Sequence, residues 1–219
     1  MVSHTGRGGQ NMIDPKKLDW DKTDGLIPAV IQDDQTRQVL MLGYMNEEAL
    51  GQTLQSNIVH FYSRSRRCLW MKGETSGNTF ALTAISADCD NDTLLVEVRP
   101  TGPACHTNTV SCFGNDPAPG LGFLAHLEAV IQTRAGQAPE DSYVSRLLTK
   151  APKLPAQKVG EEAVEVAIAA VSESREALIG ESADLIFHLM VLLESRNVSL
   201  SDIVDELRTR NAKANASGA

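Results

Sequence analysis

Between Asp88 and Cys112 the chain concentrates side chains that bind metal ions. Asp88, Asp90 and Asp92 alternate around Cys89, and Cys105-His106 and Cys112 follow, so three of the four cysteines fall here. Carboxylate oxygens suit hard cations such as Mg²⁺, whereas thiolates suit zinc. Read as one strand from Ala87 to Val98, the segment sends the three aspartates to one face and Cys89 to the other. It leads into the apolar run Leu94-Leu95-Val96, where three like charges need a counter-ion. The competing reading is a charged edge strand that discourages aggregation.

Cys89, Cys105 and Cys112 contain no Cys-x-x-Cys pair, so zinc-ribbon and zinc-finger spacings are excluded. Three thiolates without an obvious fourth protein ligand point to a zinc that keeps a position open for water and lowers that water's pKa toward neutrality. Taken singly, each cysteine also reads as a small buried hydrophobe. Cys68 lies outside the group and reads as structural.

Two more stretches carry chemistry. Ser63 to Asn78 reads as a loop between strands, with Arg64, Ser65, Arg66, Arg67 and Lys72 to bind phosphate, Trp70 to stack on a base, and Gly73 and Gly77 to allow close backbone approach. A solvated basic loop is the alternative. Farther on, Glu162 and Glu165, and Glu181 and Asp184, are each three apart on helices and so share a face. Seven acids against one base, Arg175, lie between Glu161 and Asp184, amid the apolar residues Val164 to Val171. Two antiparallel helices presenting carboxylates inward make a divalent-cation site, with an acidic solvent face as the alternative.

These side chains need positioning elements. Strands are expected over Gly25 to Gln32 and Val39 to Met45, joined at Asp33-Asp34, then over Val59 to Ser63, Thr79 to Ile85 and Leu94 to Val98. Asn46 is an N-cap for a helix from Glu47 to Ser56. Gly114 to Gly120, with Pro117 and Pro119, suits neither helix nor central strand and reads as a linker. Beyond it, apolar spacings of three, four and seven predict helices over Leu121 to Ala135, Tyr143 to Thr149, Ala156 to Ser172, Arg175 to Glu194 and Ser201 to Asn211. The expected architecture is a strand-rich α+β domain over 12–113, a linker over 114–120 and an all-α helical bundle over 121–219, preceded by a disordered extension over 1–11.

At 219 residues the chain can bury a sizeable core. A formal net charge of −8 argues against a nucleic-acid binder, which needs a basic surface to release counterions. Clustered cysteines beside a histidine fit metal ligation in a reducing compartment. No apolar run approaches the roughly 18 residues of a membrane span, and no signal-peptide core opens the chain, so a cytoplasmic location without membrane partners is expected.

Assembled, these residues resemble the bifunctional histidine-biosynthesis enzymes that join phosphoribosyl-AMP cyclohydrolase to phosphoribosyl-ATP pyrophosphohydrolase. Leu18-Asp19-Trp20 with Asp24-Gly25-Leu26, Gly43-Tyr44-Met45-Asn46, Leu69 to Asn78, Asp88 to Asp92 and Cys105-His106 to Phe113 carry the first half of the likeness. Glu140 to Tyr143, Lys158 to Glu162, Glu165, and Glu181 through Asp184 to Leu189 carry the second, which is similar to the all-α nucleoside-triphosphate pyrophosphohydrolases. Asn108 stands where the likeness leads to an expected glycine, and asparagine tolerates the left-handed region.

The resemblance implies zinc on Cys89, Cys105 and Cys112, and magnesium on Asp88, Asp90 and Asp92. A second magnesium set comprises Glu161, Glu162, Glu165, Glu181 and Asp184. It implies a homodimer whose zinc cysteines meet across the interface. Its expected substrates are phosphoribosyl-ATP, cleaved between the α and β phosphates, and phosphoribosyl-AMP, whose ring is opened by zinc-activated water at C6. Proposed roles are proton transfer for His106, catalysis for Glu162 and Glu165, and substrate contacts for Arg64, Ser65, Trp70, Lys72, Glu74, Ser76 and Lys158. Two rivals are a housecleaning nucleotide pyrophosphatase fused to a zinc deaminase-like domain, and a zinc-binding scaffold on a helical dimerisation domain.

Overall fold

The computed structural model describes residues 13–116 and 118–217, so the expected extension over 1–11 lies outside the described residues. The chain divides into two compact units, Met1–Leu124 and Ala125–Ala219. A strand-rich region precedes a helical one, as the change in periodicity predicts. No helix among the described residues is long and apolar enough to cross a membrane.

In the first unit, β1 (Ile27–Asp33) and β2 (Val39–Met45) form an antiparallel hairpin. Its turn is set by Asp33, whose Oδ1 accepts from the backbone N–H groups of Gln35 at 2.9 Å and Thr36 at 2.7 Å. Helix α1 (Glu47–Ser56) begins where Asn46 accepts from the Ala49 N–H at 2.9 Å. Thr53 then ties α1 to β3 (His60–Ser63) by accepting from the His60 N–H at 2.8 Å. β3 pairs with β4 (Cys68–Met71) in a separate two-stranded ribbon. β5 (Phe80–Ala87) and β6 (Leu94–Pro100) complete a four-stranded sheet of order β2-β1-β6-β5, in which β1 and β6 run parallel.

One face of this sheet is filled. Ile27, Ala29 and Ile31 alternate inward from β1, meeting Leu94, Val96 and Val98 of β6 and Leu50, Phe61 and Phe80. Removing each of the larger side chains from water contributes about 1.5–3 kcal/mol. Gly43 is required here, because a Cβ on it would stand 2.4 Å from the Phe61 ring. The expected linker is tied to the same unit. Gln38 donates to the Asp116 carbonyl at 2.7 Å and accepts from the Ala118 N–H at 3.0 Å.

The second unit holds α2 (Gly122–Ala135), α3 (Tyr143–Leu148), α4 (Lys153–Ser172), α5 (Arg175–Glu194) and α6 (Leu200–Ser217), with the first turn of α2 preceding the division. Only Glu173 and Ser174 separate α4 from α5, so the two lie antiparallel; Ser174 caps α5 by accepting from the Ala177 N–H at 3.1 Å. Ile131, Val144, Leu147, Met190 and Val191 form the buried core of this unit.

Candidate active sites

The three aspartates do not lie on a strand. β5 stops at Ala87 and β6 starts at Leu94, leaving Asp88 to Thr93 as the turn between them. Asn91 takes a left-handed φ of 61°, and Asp88 Oδ1 accepts from the N–H groups of Asp92 and Thr93, each at 3.1 Å. Turn geometry, which clusters Asp and Asn for this reason, thus replaces strand alternation. It gathers the carboxylates all the same: one oxygen from each of Asp88, Asp90 and Asp92 lies within 4.8 Å of the others. An all-oxygen set of three carboxylates fits a hard divalent cation.

A protein cation stands among them. Lys22 Nζ is 2.5 Å from Asp90 Oδ2 and also pairs with Asp92. Its short 3-10 turn is docked by backbone, since the Asp19 N–H donates to the Asn91 carbonyl at 2.8 Å and the Lys22 N–H donates to Asp19 Oδ1 at 3.1 Å. The Lys22 ammonium holds the Asp90 and Asp92 carboxyls below the usual range, and they raise the lysine in turn.

Cys105 and Cys112 sit in the loop after β6, which is anchored by the Cys112 N–H donating to the Leu40 carbonyl at 2.8 Å. The Thr107 hydroxyl donates to Cys105 Sγ at 3.1 Å and is the largest cause lowering this thiol to about 6, with further help from Thr109 and Cys112. Desolvation of its sulfur, then the Cys105 charge, pushes Cys112 up although the residue as a whole is exposed. Lys72 is buried beside both, its Nζ 4.7 Å from the Phe80 ring centroid. Burial lowers its ammonium, opposed by the Cys112 and Cys105 thiolates. His106 Nδ1 lies 3.7 Å from Cys105 Sγ. Asn108 adopts φ 62° in this loop, the left-handed conformation for which it is suited. Cys89 stays on the aspartate turn, 4.0 Å from Asp90 Oδ1. Among the described residues it forms no three-ligand group with Cys105 and Cys112. Cys68, read as structural, opens β4 and is exposed.

The basic stretch is not one loop. Cys68–Met71 is a strand, paired antiparallel with His60–Ser63, because Leu69, Trp70 and Met71 have apolar surface to cover. Trp70 consequently packs on Phe61, with ring centroids 4.9 Å apart. At the hairpin tip the Arg64 guanidinium lies 3.7 Å from the Tyr44 ring centroid, and Ser65 Oγ is 3.5 Å from Ser63 Oγ. Past β4, Glu74 accepts from the Met71 N–H at 3.2 Å and Ser76 from the Asn78 N–H at 3.2 Å. Gly73 has φ +88°, and a Cβ there would stand 2.6 Å from the Asn78 carbonyl carbon.

In the second unit, one oxygen each from Glu162, Glu165 and Glu181 lies within 4.8 Å of the others. Glu161 instead engages Lys158 at 2.8 Å and Gln157 at 2.7 Å, and Asp184 is exposed outside the group. Desolvation, then the charges of Glu165, Glu162 and Asp184, pushes the Glu181 carboxyl up. Its surroundings thus carry excess negative charge of the sort a divalent cation relieves. Glu162 is only 6% exposed and faces Lys158 Nζ at 3.8 Å and His188 Nδ1 at 3.4 Å. His188 Nδ1 is also 2.9 Å from the Asp184 carbonyl oxygen, and its Nε2 is 3.1 Å from the Tyr143 hydroxyl.

Residues 41–114 match the family described as phosphoribosyl-AMP cyclohydrolase, and residues 124–211 that described as phosphoribosyl-ATP pyrophosphohydrolase. The histidine biosynthesis bifunctional protein HisIE of Photobacterium profundum is 53% identical, covering 90% of this chain and 97% of its own length. That of Shewanella oneidensis is also 53% identical, over 92% and 94%, and that of Vibrio vulnificus 48%, over 90% and 94%. This chain belongs to the bifunctional histidine biosynthesis family.

As a member of that family it is a bifunctional enzyme of the cyclohydrolase and pyrophosphohydrolase type. The cyclohydrolase match takes in the aspartate turn, the cysteine loop and the β3-β4 ribbon; the pyrophosphohydrolase match takes in the three converging glutamates. Sequence reasoning passed over three site neighbours. Thr107 stands two residues from Cys105, where a hydroxyl donor was legible. His188 follows Asp184 by four and Glu181 by seven, a same-face spacing that places it with the acids. Lys22 meets Asp90 across 68 residues, and no local signal announces that contact.

Proposed function

We propose that the C-terminal unit cleaves phosphoribosyl-ATP to phosphoribosyl-AMP and pyrophosphate, and that the N-terminal unit then opens the adenine ring of phosphoribosyl-AMP. The observation that carries this reading is that each family-matched region contains its own converged carboxylate group: Asp88, Asp90 and Asp92 in one, Glu162, Glu165 and Glu181 in the other. Both groups suit Mg²⁺, and Cys105 and Cys112, with Cys89 from a second copy, suit zinc. When bound, zinc supplies an activated water for attack at C6, and magnesium supplies charge neutralisation for phosphate oxygens.

The chain's own residues do the rest. In the second unit Glu162 and Glu165 present oxygens toward one point, and Lys158 adds the positive charge that an anionic triphosphate needs beside them. In the first, Arg64 offers its guanidinium for the ligand phosphate and Lys72 holds a cation against the thiol pair. Trp70 offers a rigid aromatic, held by its tilted packing on Phe61, for the ligand base. Glu74 and Ser76 hold the turn after β4, which makes their contribution to substrate binding one of shaping the loop. His106, next to Cys105, is placed to move the proton that ends on N1 as the N1–C6 bond breaks and the water oxygen stays on C6. No ammonia leaves, in contrast to zinc nucleobase deaminases.

A homodimer completes the reading. Cys89 lies apart from Cys105 and Cys112 within one chain, which is the arrangement expected if the set is made by two copies. Independently, Val164, Ile168 and Val171 of α4 are 59%, 50% and 88% exposed, lining a groove of about 460 Å³ with Ala163 and Ala167. An uncovered apolar stripe of this kind marks an interface. A reducing, cytoplasmic setting suits free thiols in a metal-binding role.

The test is phosphoribosyl-ATP hydrolysis followed in one vessel by pyrophosphate release and by the absorbance change of ring opening. The expected result is both signals in sequence, with a chelator abolishing both. Release of pyrophosphate from ordinary nucleoside triphosphates but not from phosphoribosyl-ATP would overturn the assignment.

A further inference from the structure

His188 is a buried imidazole that the reaction outlined above does not use. It is 6% exposed, and each ring nitrogen has its own partners. Nδ1 faces two acceptors, the Asp184 carbonyl oxygen at 2.9 Å and Glu162 Oε1 at 3.4 Å. Two acceptors require a donor between them, so Nδ1 carries the proton. Nε2 is then a lone pair in the neutral ring, and it accepts from the Tyr143 hydroxyl 3.1 Å away. The tautomer is therefore fixed by the Asp184 carbonyl, which can only accept, and the Tyr143 hydroxyl, which can donate or accept, follows it.

The consequence falls on Glu162. Its carboxylate is as buried as the imidazole, and Lys158 Nζ, at 3.8 Å, is a looser neighbour that lies closer to Glu161, at 2.8 Å. The imidazole contact is thus the shorter hold on Glu162, and it comes from α5, the helix that also supplies Glu181. The contact is longer than the Nδ1–Asp184 hydrogen bond, but a buried carboxylate oxygen set against the positive N–H edge of a fixed ring does not rotate freely. Outer partners of this kind orient metal-binding carboxylates, and losing one typically costs about 10–100-fold in metal affinity.

We propose that His188, its tautomer set by the Asp184 carbonyl and its far nitrogen held by Tyr143, is a positioning residue that fixes the Glu162 carboxylate for the divalent cation shared with Glu165 and Glu181. The inference rests on the magnesium reading of those glutamates given above. It assigns to Tyr143 and His188 a role in metal affinity without contact to substrate.

Mn²⁺ binding to the full chain, followed by electron paramagnetic resonance, tests it; Glu165→Gln identifies which sites belong to the helical glutamates. His188→Ala should weaken that class of site about 10–100-fold. His188→Asn, whose amide N–H takes the place of Nδ1–H, should restore it to within a few-fold of wild type. His188→Leu, a packing substitute without a donor, should not. Tyr143→Phe should weaken binding less than His188→Ala, because one anchor of the ring is lost and the donor kept. A histidine that merely fills the core gives the reverse order, with Leu retaining affinity and Asn losing it, and that order overturns the proposal. Unchanged Mn²⁺ affinity in folded His188→Ala, with the Glu165-dependent site present, overturns it as well. Absence of any Glu165-dependent site in the wild-type chain would instead sink the magnesium reading and the inference together.

Discussion

The two carboxylate groups reach similar convergence by opposite means. In the β5–β6 turn the three aspartates are near neighbours in sequence, largely exposed, and gathered by backbone: Asp88 is pinned by two peptide N–H groups, and the cation paired with the others, Lys22, comes from a distant turn. On α4 and α5 the three glutamates come from two helices, and the buried one, Glu162, is faced by the side chains Lys158 and His188. A backbone-built site should tolerate loss of a neighbouring side chain; a side-chain-built site should not. The turn also arrives already neutralised in part, whereas the helical group holds Glu181 among like charges.

The largest effect comes from crossing the two groups. Glu165→Gln should lower pyrophosphate release from phosphoribosyl-ATP by at least about a hundredfold, while ring opening of supplied phosphoribosyl-AMP stays within about twofold. Asp92→Asn should do the converse, slowing ring opening at least about tenfold with pyrophosphate release preserved. If either change suppresses both signals in protein of normal circular dichroism, the two groups are not separate centres and the comparison fails.

Smaller, and opposite in sign to an ordinary site mutation, is the effect of Lys22. Its ammonium contacts the oxygens of Asp90 and Asp92 that a divalent ion would share, so ion and lysine compete. Lys22→Met should therefore tighten Mn²⁺ binding at the turn by about two- to fivefold, the scale of an exposed ion pair. Calorimetric titration of the full chain measures it. Weaker binding in Lys22→Met would show that the lysine supports the ion and does not stand in for it.

Much of this arrangement was legible in residue types, and the rest was hidden for physical reasons. The longer helices were visible because a 3.6-residue pattern has room to repeat, and some ends carry a recognisable cap, as with Asn46 before α1 and Ser174 before α5. The aspartate turn was read as strand because Asp-Cys-Asp-Asn-Asp happens to alternate; the Asn91 left-handed φ and the Asp88 acceptor are what a dense Asp/Asn run more often supports. β4 was missed because four residues between Arg67 and Lys72 are too short for a period to show. Its partner strand, not its own sequence, makes it a strand. Convergence of Glu162, Glu165 and Glu181 followed from same-face spacing, but spacing did not separate them from Glu161, which Lys158 and Gln157 engage. The parallel β1–β6 pair and the Lys22 contact are nonlocal and have no signature along the chain.

The smallest expected effect separates the two groups by sign alone. Glu181 has its carboxyl raised in the fold, by desolvation first and by Glu165, Glu162 and Asp184 after it. Above that raised value the ionised group is disfavoured in the fold but not in the unfolded chain, so it subtracts from stability. Below the unfolded value, about 4.3, both states are protonated and the cost is gone. Metal-free Glu181→Gln should therefore melt slightly above wild type at pH 8, by on the order of one degree, with the difference closing as pH falls toward 4. Asp90 is lowered by Lys22, so its ionised form adds stability above the unfolded carboxylate value and loses it as pH falls through the folded one. Asp90→Asn should accordingly melt slightly below wild type at pH 8, and that deficit should also close in acid. Differential scanning calorimetry with chelator present reads both, and two shifts of the same sign would mean that Lys22 does not distinguish the turn from the helices.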